Sequence, residues 1–345
     1  MDKIVALCDY KGNFGSKYYP QPYRSGMDKN KLNSVFSEYG YQLEFCKFAE
    51  INRLRDIQES VVIYTGQEDP GFHYRSYIED CILGLEMQGA QVLPPYQFLR
   101  AYNNKVFMEM LRKQLLPEKY QLWSRVYGCR EELMSQINEI NFPVVVKTSA
   151  GAMSKGVFIA KNTRELIKIS GEVSRTKNLK EELWDIGRKI KHPGYAPTSR
   201  HRMKFIVQEY VPELENDWKV LVFNGNYYVL WRKNRPHDFR ASGSGLFSFD
   251  REVNPSLLDT ACDIFTRIGL PLISLDLAIS GGKVILIEMQ FVAFGTISLE
   301  RSVYYFRYSN QGWEKVLHKS VPEEEYARSI SEYLKQKNSL QQNHG

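Results

Sequence analysis

Two runs near the carboxyl end of the chain alternate apolar and polar residues with a period of two, with three small residues between them. In Leu272–Ile279 one face carries Ile273, Leu275, Leu277 and Ile279, and the other Ser274 and Asp276. In Val284–Phe291 one face carries Ile285, Ile287, Met289 and Phe291, and the other Glu288 and Gln290. Such runs are strands with one buried face. A slip of one residue would turn every side chain over, so apolar matching fixes the parity of the register. A three-residue loop, Ser280-Gly281-Gly282, brings the apolar faces together and supplies glycine for the left-handed position. Asp276, Glu288 and Gln290 then converge on the opposite face. Two carboxylates and an amide oxygen suit Mg²⁺, which takes one or two carboxylates and completes its octahedron with phosphate oxygens and water. Without a cation, carboxylates this close repel each other or retain a proton. The plain alternative is three solvated side chains on an exposed sheet face.

Asn224-Gly225 marks a second hairpin, because a type I′ turn needs positive φ at both central residues. With these two as the loop, Phe223 pairs with Asn226 and Asp217 stands opposite Arg232, with Lys219 on the same face. As a surface salt bridge the pair would contribute little. In this register, however, the three charges gather beside Asn234–Gly245.

The 345 residues suffice for two or three compact units. Residues 1–100 read as an α/β domain. Strands at Ile4–Cys8, Tyr41–Phe48, Val61–Tyr64 and Val92-Leu93 alternate with helices at Lys31–Tyr39 and Tyr77–Gln88, which implies a mostly parallel sheet. Residues 101–204 form a second unit, with a helix at Lys105–Leu116, strands at Phe142–Lys147 and Val157–Ala160, and a capped helix at Asn162–Ile169. Residues 205–335 turn to antiparallel strands around a helix at Leu257–Ile268, and residues 336–345 read as a frayed polar tail. Within the second unit, Leu179, Leu183, Ile186 and Ile190 mark an amphipathic helix set among nine lysines and arginines. A solvated helix face with a mobile loop accounts for it, as does a flap that recognises an anionic substrate.

Composition narrows the function. A net charge of +6 suits anionic small molecules and is too slight for a nucleic-acid partner. Five scattered cysteines without a C-x-x-C pair give neither a disulfide framework nor a structural zinc site. Neither a membrane-spanning stretch nor a secretory leader is expected, so the expectation is a cytoplasmic protein without membrane insertion, with a homodimer left open.

From about Asn104 to Glu300 these residues resemble the ATP-grasp superfamily, in particular its carboxylate–amine ligases of the glutathione synthetase and ribosomal-protein glutamate ligase branch. The runs Glu288–Thr296 and Tyr77–Asp80 also look like ATP-grasp proteins found with bacterial surface-polysaccharide genes. The resemblance implies an α/β (α+β) chain, an ATP-grasp fold preceded by a pre-ATP-grasp α/β domain, using ATP and Mg²⁺. It places Lys105 and Lys147 on the nucleotide phosphates, and Thr148–Gly156, with Ser149, Gly151, Ser154, Lys155 and Gly156, as the loop that closes over the triphosphate. Gln208, Glu209, Tyr210 and Val211 fall on the strand that reads the adenine edge, Glu213 (with Glu215 as second choice) at the ribose, and Asp217 among the nucleotide contacts. Arg240 would hold the transferred phosphoryl group, with Arg232 and Lys219 beside it, and Asp276, Glu288 and Gln290 the metal. Lys219 stands where relatives have arginine and Gln290 where they have asparagine.

The activity so implied is phosphorylation of a carboxylate by ATP, then attack of an amine on the acyl-phosphate. Both substrates, a small molecule, peptide or glycan, would be contacted by loops such as Gln67–Arg75 and Gly295–Arg301, including Tyr74, Arg75 and Arg301. The rivals are a phosphotransferase on the same fold and a nucleotide sensor without turnover, the latter favoured by Lys219 and Gln290.

Overall fold

The computed structural model describes residues 2–15, 25–54, 57–66, 73–151, 156–212, 214–234 and 246–342. The chain forms two compact units: Met1–Tyr102, Asn216–Lys233 and Gly245–Gly345 make the first, Asn103–Glu215 and Asn234–Ser244 the second.

The first unit begins with β1 (Asp2–Cys8), α1 (Lys29–Glu38), β2 (Tyr41–Lys47), β3 (Val61–Tyr64), α2 (His73–Met87), β4 (Gln91–Leu93) and α3 (Tyr96–Ala101). The strands form a parallel sheet in the order β2-β1-β3-β4. Residues Ile4 to Cys8 are buried throughout, as a central parallel strand requires. Asp28 caps α1 by accepting from the backbone N–H groups of Asn30 and Lys31.

The second unit carries α4 (Lys105–Leu115), β5 (Ser124–Tyr127), α5 (Arg130–Ser135), β6 (Val144–Thr148), β7 (Val157–Ala160), α6 (Thr163–Val173), α7 (Leu179–Lys191) and β8 (Phe205–Glu209). Its sheet is antiparallel, in the order β5-β8-β6-β7. Val144 and Val146 of β6 turn into a core with Leu133, Leu166, Phe205 and Val207, which leaves Val145 and Lys147 on the other face. The boundary expected at residues 204 and 205 falls just ahead of β8. That strand is central to this sheet, so the unit runs on to Glu215.

The first unit resumes with β9 (Asn216–Phe223), β10 (Asn226–Lys233), β11 (Phe247–Ser248), α8 (Pro255–Ile268), β12 (Leu272–Ser280), β13 (Lys283–Gln290), α9 (Ile297–Arg301), β14 (Tyr304–Ser309), β15 (Gly312–Leu317) and α10 (Pro322–Gln342). Seven strands form one sheet in the order β13-β12-β9-β10-β14-β15, with β11 beside β10. The Asn224-Gly225 turn has positive φ at both residues (36° and 90°) and sets Phe223 against Asn226 and Asp217 against Arg232, as the sequence predicts.

The β12–β13 hairpin differs from expectation in one respect. Its turn is two residues, Gly281 and Gly282, both at positive φ, and Ser280 pairs with Lys283. The ladder then shifts: Leu277 pairs with Leu286 but Asp276 with Glu288, so Ile287 is an extra, unpaired residue, a β-bulge. A three-residue turn would have set Glu288 opposite Ser274; the tighter turn and the bulge together set it opposite Asp276. Near the turn it is therefore Leu286, rather than Ile285 or Ile287, that is fully buried. The polar tail expected from residue 336 starts within α10, which continues to Gln342 with residues 335–340 exposed. Among the described residues no helix is long and apolar enough to cross a membrane.

Candidate active site

Four adjacent strands of the first unit place charged side chains on one sheet face. Lys219 on β9 stands beside Asp276 on β12, which stands beside Glu288 on β13. Asp217 lies two residues before Lys219 on β9 and pairs with Arg232 on β10. Cross-strand neighbours have Cβ atoms ~5 Å apart, so these groups are set to interact by register alone.

The contacts follow. Arg232 grips Asp217 through Nε, 3.1 Å from Oδ1, and through Nη2 at Oδ2. The same Nη2 lies 3.0 Å from Asp276 Oδ2. Lys219 Nζ donates to Asp276 Oδ1 and to Gln290 Oε1, each at 3.4 Å. Asp217 is wholly enclosed, at 0% exposure, so it touches a ligand only by way of Arg232. Burial, with help from the Asp276 charge, pushes the Asp217 carboxyl up to about 6 against the pull of Arg232. Burial also opposes ionisation of Asp276, but Arg232 and Lys219 outweigh it and hold that carboxyl below its usual range. Burial disfavours the Arg232 charge, yet Asp276 and Asp217 more than offset this and raise its pKa. Buried ion networks add little net stability; they fix position.

The donor chemistry fits a hard cation. Asp276 Oδ1 and Gln290 Oε1 already share one cationic group, the Lys219 ammonium, and Glu288, half-buried, is the cross-strand partner of Asp276. Ser274, paired with Gln290, has a buried hydroxyl without a hydrogen-bond partner among the described residues. Among those residues no group of three His, Cys, Asp or Glu side chains is placed to hold a metal, so any such site relies on the amide.

The second unit holds a separate polar cluster. Asn104 caps α4 and its Oδ1 accepts from Ser149 Oγ at 3.1 Å and from Lys204 Nζ at 3.0 Å. Lys105 donates its backbone N–H to the Ser149 carbonyl at 2.8 Å and its Nζ to the Gly151 carbonyl at 2.7 Å. Lys147 Nζ donates to Gln208 Oε1 at 2.6 Å, on the sheet face away from the core. The other end of that amide, Gln208 Nε2, is buried with no partner among the described residues. Glu209 ends β8, exchanging backbone and side-chain hydrogen bonds with Trp123, and Tyr210 and Val211 follow outside the strand. The base of the Thr148–Gly156 loop is closed by the Thr148 N–H on the Gly156 carbonyl at 2.9 Å.

Ser154, Lys155, Glu213 and Arg240 lie outside the described residues. Arg75, expected in a substrate loop, is instead buried in α2, paired with Glu79 at 2.9 Å and stacked over Tyr102. Tyr74 packs edge-on against Tyr10, and Arg301 lies over the Phe249 ring. Sequence reasoning passed over Asn104 as a hub; its signal was an asparagine directly before a helix, where it caps. Lys204, counted only as part of a basic segment, belongs to the same hub.

A comparison with curated proteins gives no match. Among solved structures, the RimK domain ATP-grasp protein of Sphaerobacter thermophilus aligns with a TM-score of 0.51 at 13% identity, over 96% of this chain and 98% of that one. D-cycloserine synthetase DcsG aligns at 0.52 and 13%, over 96% and 99%. The ATP complex of D-alanine–D-alanine ligase from Bacillus anthracis aligns at 0.52 and 12%, over the whole of both chains. At such identities these likenesses establish the fold. The RimK-like ATP-grasp domain profile matches residues 102–293, more than half of the chain. The chain therefore belongs to the RimK-like ATP-grasp family, within the superfamily of ATP-dependent carboxylate–amine ligases.

Proposed function

We propose that this ligase phosphorylates a substrate carboxylate with MgATP and passes the acyl-phosphate to an amine, giving an amide, ADP and phosphate. The observation that carries this reading is the set of two cations, Lys219 and Arg232, fixed at one buried carboxylate, Asp276, on a face that also offers Glu288 and Gln290. Phosphoryl transfer is mostly management of negative charge, and cations positioned before the substrate arrives supply it without reorganisation.

In this reading Lys105 and Lys147 meet the phosphates, Ser149, Gly151, Ser154 and Gly156 bring small side chains and backbone N–H groups around them, and Lys155 adds a cation. Gln208, Glu209, Tyr210 and Val211 read the base, and the unpartnered Gln208 amide supports that assignment. Glu213 takes the ribose and Arg240 the phosphoryl group in transit, while Asp217 acts by orienting Arg232. Asp276, Glu288 and Gln290 would hold magnesium, whose charge offsets that of the β- and γ-phosphates. The acid is a sugar acid or a peptide, in keeping with a chain of net charge +6.

ADP release measured on a matrix of sugar acids, peptides and amines, with hydroxylamine as a trap, tests the reading. An acid-dependent hydroxamate is the expected product. A stable phosphorylated acid would make the protein a kinase instead. The Lys219–Gln290 contact favours a second reading, a sensor that binds ATP, and binding without turnover over the whole matrix would establish it.

A further inference from the structure

The excess positive charge of the chain sits in one segment of the second unit. Residues 175–204 hold nine lysines and arginines against three acidic residues, a balance of +6 that equals the +6 of the whole chain. The helix α7 lies within this segment with its polarity reversed. Two of its three acidic residues turn towards the flanking parts of the segment: Asp185 pairs with the buried Lys177 and accepts from Tyr195 Oη at 2.9 Å, and Glu182 meets Arg175 at 3.0 Å and Arg200 at 3.6 Å. No residue of α7 is buried. Leu179, Leu183, Ile186 and Ile190, spaced as one helical stripe, are between 56% and 80% exposed. Lys180 and Lys191 flank the stripe on one side and Lys189 on the other, and Trp184, also exposed, lies beyond Lys180 and Lys191 on the basic face. A surface helix ordinarily does the opposite and turns its apolar stripe to the core. A capping box of Asn178 and Glu181 secures the helix itself, so the stripe is held in place rather than left over from a failed fold.

We propose that α7 docks on an anionic membrane surface, its aliphatic stripe at the boundary of headgroups and acyl chains and its cations on the lipid phosphates. A second copy is a poor occupant, because a twofold contact would set +6 against +6. Nucleic acid would use the charge but leave the stripe in water. Leu and Ile on one face and flanking lysines on an exposed helix form the pattern of an interfacial anchor.

Sedimentation of the full chain with vesicles of phosphatidylcholine alone, and of equimolar phosphatidylcholine and phosphatidylglycerol, tests this. The protein is expected to sediment with the anionic vesicles only. Lys180→Gln, Lys189→Gln and Lys191→Gln should each weaken binding about fivefold. The double variant Leu183→Ser, Ile186→Ser should weaken it roughly tenfold or more with an unchanged circular dichroism spectrum, since both positions are exposed. Absence of binding at low salt, or equal binding by the double variant, would overturn the proposal. Retention on polyglutamate without retention on vesicles would do the same, and would assign the helix to an acidic protein.

Discussion

Arg232 on β10 reaches Asp276 on β12 at 3.0 Å, over the strand β9 that lies between them. The same guanidinium holds Asp217 on β9, so one cation joins three strands across their charged face. Arg232→Ala leaves two buried carboxylates without it. The variant should lose about 3–5 kcal/mol in urea unfolding, along with ATP turnover. Arg232→Lys returns the charge without the fork, and should recover stability better than turnover. Unfolding of Arg232→Ala at the wild-type midpoint would deny the network a structural part.

Glu288 is half-buried and makes no ion pair with another described residue, so its removal should leave the fold alone. Glu288→Ala is expected to unfold within about 0.5 kcal/mol of wild type and to release no phosphate above background. Wild-type turnover in this variant would take Glu288 out of the metal site.

Gly156 closes the base of the phosphate loop at φ 77°, and a Cβ there would stand 2.2 Å from Thr148 Oγ1. Gly156→Ala should cost about 1–3 kcal/mol and weaken ATP binding severalfold. Adding Thr148→Ala relieves the collision but not the backbone strain, so calorimetric ATP affinity should return only in part. Full recovery would leave the positive φ without a role.

The two buried aspartates respond to pH in opposite senses. Asp217 ionises near 6 in the folded chain against an ordinary 3.8, so its contribution to stability is full below 3.8 and is lost as pH rises through 6. Asp276, held below 3.8, contributes above that value and loses its contribution on acidification. Measured against Asp217→Asn, the wild type should therefore lose about 1–3 kcal/mol of relative stability between about pH 4 and about pH 6 and change little above. Melting curves of both proteins at each pH give the comparison. A constant difference would mean that Arg232 keeps Asp217 ionised throughout.

The site's register was readable wherever a turn has only one good conformation. Asn224-Gly225 fixed Asp217 against Arg232 because both residues accept positive φ. Asp276 and Glu288 were placed on a common face from apolar parity, but through the wrong turn, because nothing in Ile287 distinguishes a bulged residue from the apolar ones around it. The direction of the α7 stripe was also illegible. Periodicity gives the angle between the faces of a helix, whereas which face meets the protein depends on partners such as Lys177, which become neighbours only in the fold. The polar end of α10 read as a tail because residues 335–340 are exposed and carry no apolar stripe to mark a helix.

Ile287 gives β13 one residue more than its ladder uses, and this makes the strand respond unequally to length changes. Loss of any one residue from Val284 to Ile287 can be absorbed by flattening the kink, with Glu288 still opposite Asp276. Gain of one residue has no such outlet, because the surplus position is already filled. Shortening in this stretch is thus expected to spare the carboxylate pair, and lengthening to send Glu288 to the apolar side of the sheet.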